Sequence, residues 1–126
     1  MITNKGIKSL SLSLKNFDSL SALHLDFCHC QEIDNFGLED FSWDLKSIST
    51  LKNLSLIFGY CNQINDEGLT TLANGIQNLK ALSKLDLNFT CGQITDNGII
   101  KFASTLKSCV NVVKLNLDFS FCPKIP

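Results

Sequence analysis

The chain has 126 residues, of which 44% are hydrophobic and 18% charged, and this composition indicates one folded domain rather than a disordered segment. The net charge is −1, and all 11 basic residues are lysines. Without a positive field, or an arginine to bind phosphate and guanine in bidentate fashion, we expect no nucleic-acid binding and no attraction to an anionic membrane.

The beginning of the sequence lacks the continuous apolar segment of a secretory signal. No apolar run approaches the roughly 20 residues that a membrane-spanning helix needs. These two observations predict a cytoplasmic protein without membrane insertion.

A repeat of 30 to 31 residues runs through the whole sequence. Each copy has leucines in the spacing L-x-x-L-x-L, then a phenylalanine, a cysteine, and the pattern I-x-x-x-G-[LI]. The third copy is one residue short, between its phenylalanine and its cysteine. The prediction is a single solenoid over residues 1–126, made of a repeat tail 1–19, repeats 20–50, 51–81 and 82–111, and a partial repeat 112–126.

Each repeat is predicted to contain one strand and one helix. Between Leu23 and Phe27 apolar and polar residues alternate, as in a half-buried strand. After the glycine the spacing of apolar residues becomes that of an amphipathic helix. A polar side chain two residues before each glycine is predicted to cap the helix, and these residues are Asn35, Asp66 and Asp96.

Stacking such units gives an α/β fold of about four repeats, with a parallel sheet on the concave face and helices on the convex face. The sequence starts in the middle of one repeat and stops in the middle of another, with no polar capping segment. We therefore expect either a segment of a longer array or ends that partners cover.

The segment from Cys61 to Leu69, CNQINDEGL, and its counterpart from Cys91 to Ile99 resemble leucine-rich repeats, in particular the ribonuclease-inhibitor-like and cysteine-containing subclasses. The resemblance covers essentially the whole chain. An extra pair of residues, which includes the phenylalanine, lengthens the predicted strand, as in repeats of protists. The resemblance implies an adaptor, a substrate receptor of a ubiquitin ligase or a GTPase regulator, although no F-box is present.

Most of the six cysteines are predicted to be buried as small hydrophobic residues in a reduced, intracellular protein. One column of the repeat contains Cys30, Cys61, Cys91 and Cys122. Cys109 replaces a core residue of the helix, and Cys28 is expected to reach solvent. A zinc site is not expected, because His24 and Cys28 would lie about 13 Å apart along a strand. No other cofactor is expected.

The outward positions of the strands form three columns on the predicted concave face. We interpret this face as the surface for a protein partner, and the alternative is an ordinary solvated sheet face. A flanking column contains two lysines, Lys84 and Lys114. The candidate partner contacts are His24, Asp26, Ser55, Ile57, Asp86, Asn88, Asn116 and Asp118.

A second candidate surface consists of Phe36 and Trp43 on the first complete helix. The equivalent residues in later repeats are polar, so this aromatic patch is confined to one end. The alternative is that Trp43 folds down and covers Leu12.

Neither a catalytic triad order nor a phosphate-binding glycine motif occurs in the sequence, and we expect no enzyme activity. The favoured hypothesis is a protein-interaction module that binds a protein partner across the concave face or the aromatic patch. The alternative is a structural subunit, or a fragment of one, that contacts its neighbours in a larger complex through uncapped solenoid ends.

Overall fold

Helices and strands alternate along the chain, and each type has the same length in every repeat. The computed structural model describes residues 2–90 and 92–125. The helices are α1 (Asn4–Leu14), α2 (Asn35–Leu45), α3 (Asp66–Ile76) and α4 (Asp96–Leu106), and the strands are β1 (Ala22–Asp26), β2 (Asn53–Ile57), β3 (Lys84–Asn88) and β4 (Lys114–Asp118). None of the described helices is both long and apolar enough to cross a membrane.

The described strands form one parallel sheet in the order β1-β2-β3-β4. Equivalent residues of successive repeats are directly paired, so that Leu23 lies beside Leu54 and Leu54 beside Leu85. Each helix packs against the helix of the next repeat behind this sheet. The α/β solenoid that the leucine spacing predicts is therefore confirmed.

A row of stacked phenylalanine rings follows the strands. The centroid of the Phe58 ring lies 5.4 Å from that of Phe27 and 5.5 Å from that of Phe89, and the Phe89 centroid lies 6.0 Å from that of Phe119. Each strand ends one residue before its phenylalanine, so the predicted lengthening of the strand is wrong in its bounds. The hydrogen bonding between repeats nevertheless continues, because the Phe27 N–H donates to the Ile57 carbonyl at 2.8 Å.

The helix caps lie one residue earlier than the sequence predicts. The side chain of Asp34 accepts hydrogen bonds from the N–H groups of Phe36 and Gly37. Asn65 and Thr95 cap α3 and α4 in the same way. The prediction that Asn35, Asp66 and Asp96 cap these helices is therefore wrong, because these residues already have helical backbone conformation and are the first residues of their helices.

Two of the three residues predicted as caps, Asn35 and Asp66, bind the cap of the following repeat instead. Asn35 Nδ2 donates to Asn65 Oδ1 at 2.7 Å, and the Asn65 N–H donates back to Asn35 Oδ1 at 3.1 Å. Asp66 accepts hydrogen bonds from both the N–H and the hydroxyl of Thr95. A Cβ on Gly68 would lie 2.4 Å from Asn35 Oδ1, which explains why a glycine stands at this position of the helix.

The cysteine column is buried where the structure describes it, at Cys30, Cys61 and Cys122. Cys91 belongs to the same predicted column but lies outside the described residues. The Cys61 thiol donates to the Phe27 carbonyl at 3.1 Å, and burial raises the pKa of this thiol to about 11 despite an opposing backbone hydrogen bond from Cys30. The Cys61 thiol therefore stays protonated at neutral pH and can donate this hydrogen bond.

The remaining two cysteines differ in exposure. Cys28 is exposed, as predicted. Cys109 packs against the core but is only partly buried, so its predicted place in the core is only partly correct.

A buried carboxylate joins α1 to α2. The side chain of Asp44 is 2% exposed and accepts a hydrogen bond of 2.7 Å from the Ser11 hydroxyl. Lys15 Nζ lies 3.3 Å from one oxygen of Asp44, and Lys8 Nζ lies 3.6 Å from the other. Position 44 corresponds to a glycine or a threonine in the later repeats, so the repeat pattern does not indicate this cluster.

The repeat that contains β4 buries its apolar side chains less than the preceding ones do. Leu115 is 50% exposed, whereas its neighbour on β3, Leu85, is 2% exposed. Ile100 on α4 and Val113 beside β4 are also exposed. Val113 and Leu115, which line the same cavity, form the β4 face, an apolar surface that is exposed in the described part of the chain.

Candidate functional site

The central column of the sheet is a continuous chain of hydrogen bonds across all four strands. Ser55 Oγ donates to Asp86 Oδ2 at 3.0 Å, and Asn116 Nδ2 donates to Asp86 Oδ1 at 3.0 Å. His24 Nδ1 lies 2.9 Å from Ser55 Oγ. Because the single hydroxyl proton of Ser55 goes to Asp86, His24 must donate from Nδ1. We refer to these four residues as the polar ladder.

The polar ladder brings a serine, a histidine and an aspartate together, but not in the order of a catalytic triad. In a triad the histidine stands between the other two and removes the serine proton. Here Ser55 stands between His24 and Asp86, and its proton points to the carboxylate. The arrangement therefore has no histidine in the position that would remove the Ser55 proton.

The second column contains Asp26, Ile57, Asn88 and Asp118, which are the last residues of the four strands. Its polar members stabilise the turns that follow the strands. Asp26 Oδ1 accepts from the N–H two residues further on, at 2.9 Å, and Asn88 and Asp118 do the same. Hydrogen bonds from Ser120 lower the pKa of Asp118. One oxygen of each of these three side chains therefore already accepts a hydrogen bond within the turn. Ile57, the fourth member, is half-buried.

The third column contains the first residues of the four strands, which are Ala22, Asn53, Lys84 and Lys114. It borders a groove that lies over the starts of the strands. The groove has a volume of about 490 Å³, and its walls include Asn53, Lys84 and Lys114. The four residues of the polar ladder also line this groove, together with strand leucines. Within residues 2–90 and 92–125, no three histidine, cysteine, aspartate or glutamate side chains are grouped so that they could hold a metal ion.

Phe36 and Trp43 of α2 are exposed on the other side of the molecule, whereas the third aromatic residue of this helix, Phe41, is buried in the core. Phe36 is 74% and Trp43 is 65% exposed. The Trp43 ring borders the groove between α2 and α3, and Lys46 Nζ lies 3.3 Å from its centroid. Leu12 is itself 48% exposed, so Trp43 does not bury it.

Sequence reasoning missed an aromatic pair at the turn after the strands. The rings of His29 and Tyr60 stack with their centroids 4.5 Å apart. Both residues, and also Phe121, have a φ near +60°, which is costly for a bulky side chain. The three residues occupy equivalent positions after the strand, so an alignment of the turns would have found them.

A family of repeats and several solved structures are similar to this chain. The family described as "Leucine Rich repeat" matches residues 50–73 and 77–103. The structure of the leiomodin-1 actin-binding site 2 is similar with a TM-score of 0.63 and 15% identity, over 93% of this chain and 60% of that chain. A chain from the crystal structure of the Rad7 and Elc1 complex in yeast is similar with a TM-score of 0.53 and 18% identity, over 94% of this chain and 30% of that chain.

The chain thus spans less than two thirds of either structural relative. No curated protein matches its sequence. At these identities the likeness concerns the fold alone.

Proposed function

Because the chain is a leucine-rich-repeat solenoid, we propose that it is a non-enzymatic interaction module that binds a protein partner across its concave sheet face. The observation that carries this proposal is the groove that is lined by the polar ladder. The two similar structures are named for an actin-binding site and for a complex of two proteins, which supports the same class of function.

Preorganisation is the physical argument for the sheet face over an ordinary solvated surface. Exposed polar side chains normally lose rotamer freedom when a partner binds, at about 0.5–1.5 kcal/mol for each side chain. In the polar ladder this entropy is already lost in the unbound protein, because every member bonds to its neighbour on the next strand. The face therefore presents a fixed pattern of donors and acceptors to a partner.

A pull-down with matched variants tests this proposal. The variant His24→Ala/Asn116→Ala removes the two ends of the polar ladder, and the variant Phe36→Ala/Trp43→Ala removes the aromatic patch. We expect the aromatic-patch variant to capture the same proteins as the unmodified chain. The polar-ladder variant should capture them with a yield at least tenfold lower. If partners are lost only with the aromatic-patch variant, the partner site is the aromatic patch on the convex surface. If both variants retain the partners, neither surface is the partner site.

The second candidate function is a structural subunit of a larger assembly, and the exposed β4 face is the observation that favours it. In this function Leu115 would be buried by a neighbouring subunit. Sedimentation velocity separates the two candidates, because a module for a separate partner stays monomeric when its concentration is raised. Concentration-dependent association that Leu115→Lys abolishes would support the structural subunit.

We also propose a cytoplasmic location and membership of the cysteine-containing subclass of leucine-rich repeats. Both are supported by the buried thiols, since Cys61 and Cys122 donate hydrogen bonds to backbone carbonyls of the preceding repeat. A reducing compartment keeps such thiols from forming disulfides, so that they remain available as donors.

A further inference from the structure

Two lysines stand side by side at the rim of the groove. Lys84 on β3 is paired directly with Lys114 on β4, and both side chains are exposed. Adjacent strands are about 4.8 Å apart, and like charges that face each other at this spacing are destabilising. We therefore expect the two ammonium groups to repel each other in the free protein.

The nearest acid on the same face does not neutralise these lysines. Asp86 is two residues after Lys84 on β3 and therefore points to the same side of the sheet. Its two oxygens accept from Ser55 and Asn116. All ion pairs within the described residues involve Lys8 or Lys15, so both ammonium groups at the groove lack a carboxylate partner there.

The groove consequently has a charge opposite to that of the whole chain. Its lining contains two lysines and one aspartate, which gives +1 with the histidine neutral, whereas the chain carries −1. Asn53 continues the row of Lys84 and Lys114 on the next strand and adds an amide donor. Three donor side chains on adjacent strands therefore line one side of the groove.

The two ends of the strands differ in charge. The starts of the strands carry Lys84 and Lys114, whereas Asp26 and Asp118 lie at the ends of β1 and β4. A partner with acidic side chains over the strand starts would gain attraction from the lysines. The same partner shifted toward the strand ends would meet the aspartates and be repelled.

We infer that Lys84 and Lys114 together bind a carboxylate side chain of the partner, so that the segment in the groove is an acidic stretch of a protein chain. This inference rests on the proposed function and adds the chemistry of the partner. An incoming carboxylate accepts hydrogen bonds from both ammonium groups and removes the repulsion between them. Binding of the carboxylate would therefore also stabilise β4, the strand at the edge of the sheet.

Titration with acetylated and amidated hexaglutamate, followed by amide NMR shifts at low ionic strength, tests the inference. We expect saturable shifts in β3 and β4, and at least tenfold weaker binding to Lys84→Met/Lys114→Met, which keeps most of each aliphatic stem. The control Lys101→Met/Lys107→Met removes the same charge from α4 and its end, and should bind as the unmodified protein does. Low salt is needed because the Debye length shortens to about 10 Å at 0.1 M.

Several results would overturn the inference. These are no binding of hexaglutamate, equal weakening by both lysine variants, binding of hexalysine instead, or equally tight binding of glutarate, which would point to a small metabolite. The retained fold of Lys84→Met/Lys114→Met is checked by its unfolding midpoint, which should equal or exceed that of the unmodified protein.

The outcome also separates this inference from the proposed function. A partner that requires the polar ladder but still binds Lys84→Met/Lys114→Met would leave the module intact and refute the lysine site. The converse result is that hexaglutamate requires the two lysines while captured partners bind equally well to variants of the concave face. That result would support the lysine site and refute the proposed function.

Discussion

Replacing Phe58 with alanine is expected to lower the free energy of unfolding by about 3–5 kcal/mol. The ring is fully buried and stacks on Phe27 on one side and on Phe89 on the other. Its removal loses the transfer free energy of the ring and leaves a cavity that rigid strands on both sides cannot close. Urea denaturation followed by circular dichroism measures the change.

Two other phenylalanines serve as controls for this variant. Phe119→Ala should cost less than Phe58→Ala, because Phe119 is only partly buried and stacks on one ring, that of Phe89. Phe121→Ala should change stability by less than about 0.5 kcal/mol, because this side chain is 81% exposed. Equal losses for Phe58 and Phe121 would show that the stacked row does not stabilise the core.

Replacing Asp44 with alanine is expected to lower the free energy of unfolding by about 1–3 kcal/mol at neutral pH. The substitution removes the charged acceptor of the buried Ser11 hydroxyl, which keeps only the Lys8 carbonyl, at 3.0 Å, as a partner. Lys8 and Lys15 lose a charge partner but are partly exposed and can turn to water, which limits the loss. Asp40→Ala is the matched control, since Asp40 contacts the same Lys8 from an exposed position.

The effect of Asp44→Ala should depend on pH. Burial raises the pKa of Asp44, but the hydrogen bonds from Ser11 and Lys15 and the charges of Lys8 and Lys15 outweigh burial, so its pKa lies below the ordinary value of 3.8. The contribution of Asp44 is therefore fully present above about pH 4 and lost as the pH falls through the lower, folded-state pKa. Denaturation curves of both proteins should converge in acid, and a difference independent of pH would refute this account.

The repeat spacing predicts the strands, their register and the exposed columns because a period of two assigns each side chain to one face of the sheet. His24, Ser55, Asp86 and Asn116 therefore lie in one row, as the alignment indicates. The hydrogen bonds within this row could not be read from the sequence, because they depend on rotamers that neighbouring strands select together.

The helix caps show a different reason for failure. Asp34 and Asn35 can both cap α2 by residue type, but Asp34 has the extended backbone of a cap, whereas Asn35 is already helical and bonds to Asn65. Asp44 was missed because it occurs once, at a position that is not polar in every repeat. Features that repeat are thus visible in a single sequence, whereas pairings between adjacent repeats need coordinates.

The bond from each first helical residue to the next cap makes the repeats interdependent. Asp34 caps α2 while it is held by Asn4, and Thr95 caps α4 while it is held by Asp66. Part of the free energy that starts a helix is therefore coupling between nearest neighbours rather than a property of one repeat. Such coupling makes partly unfolded forms scarce, because fraying of one repeat weakens the helix start of the next and favours cooperative unfolding of the stack.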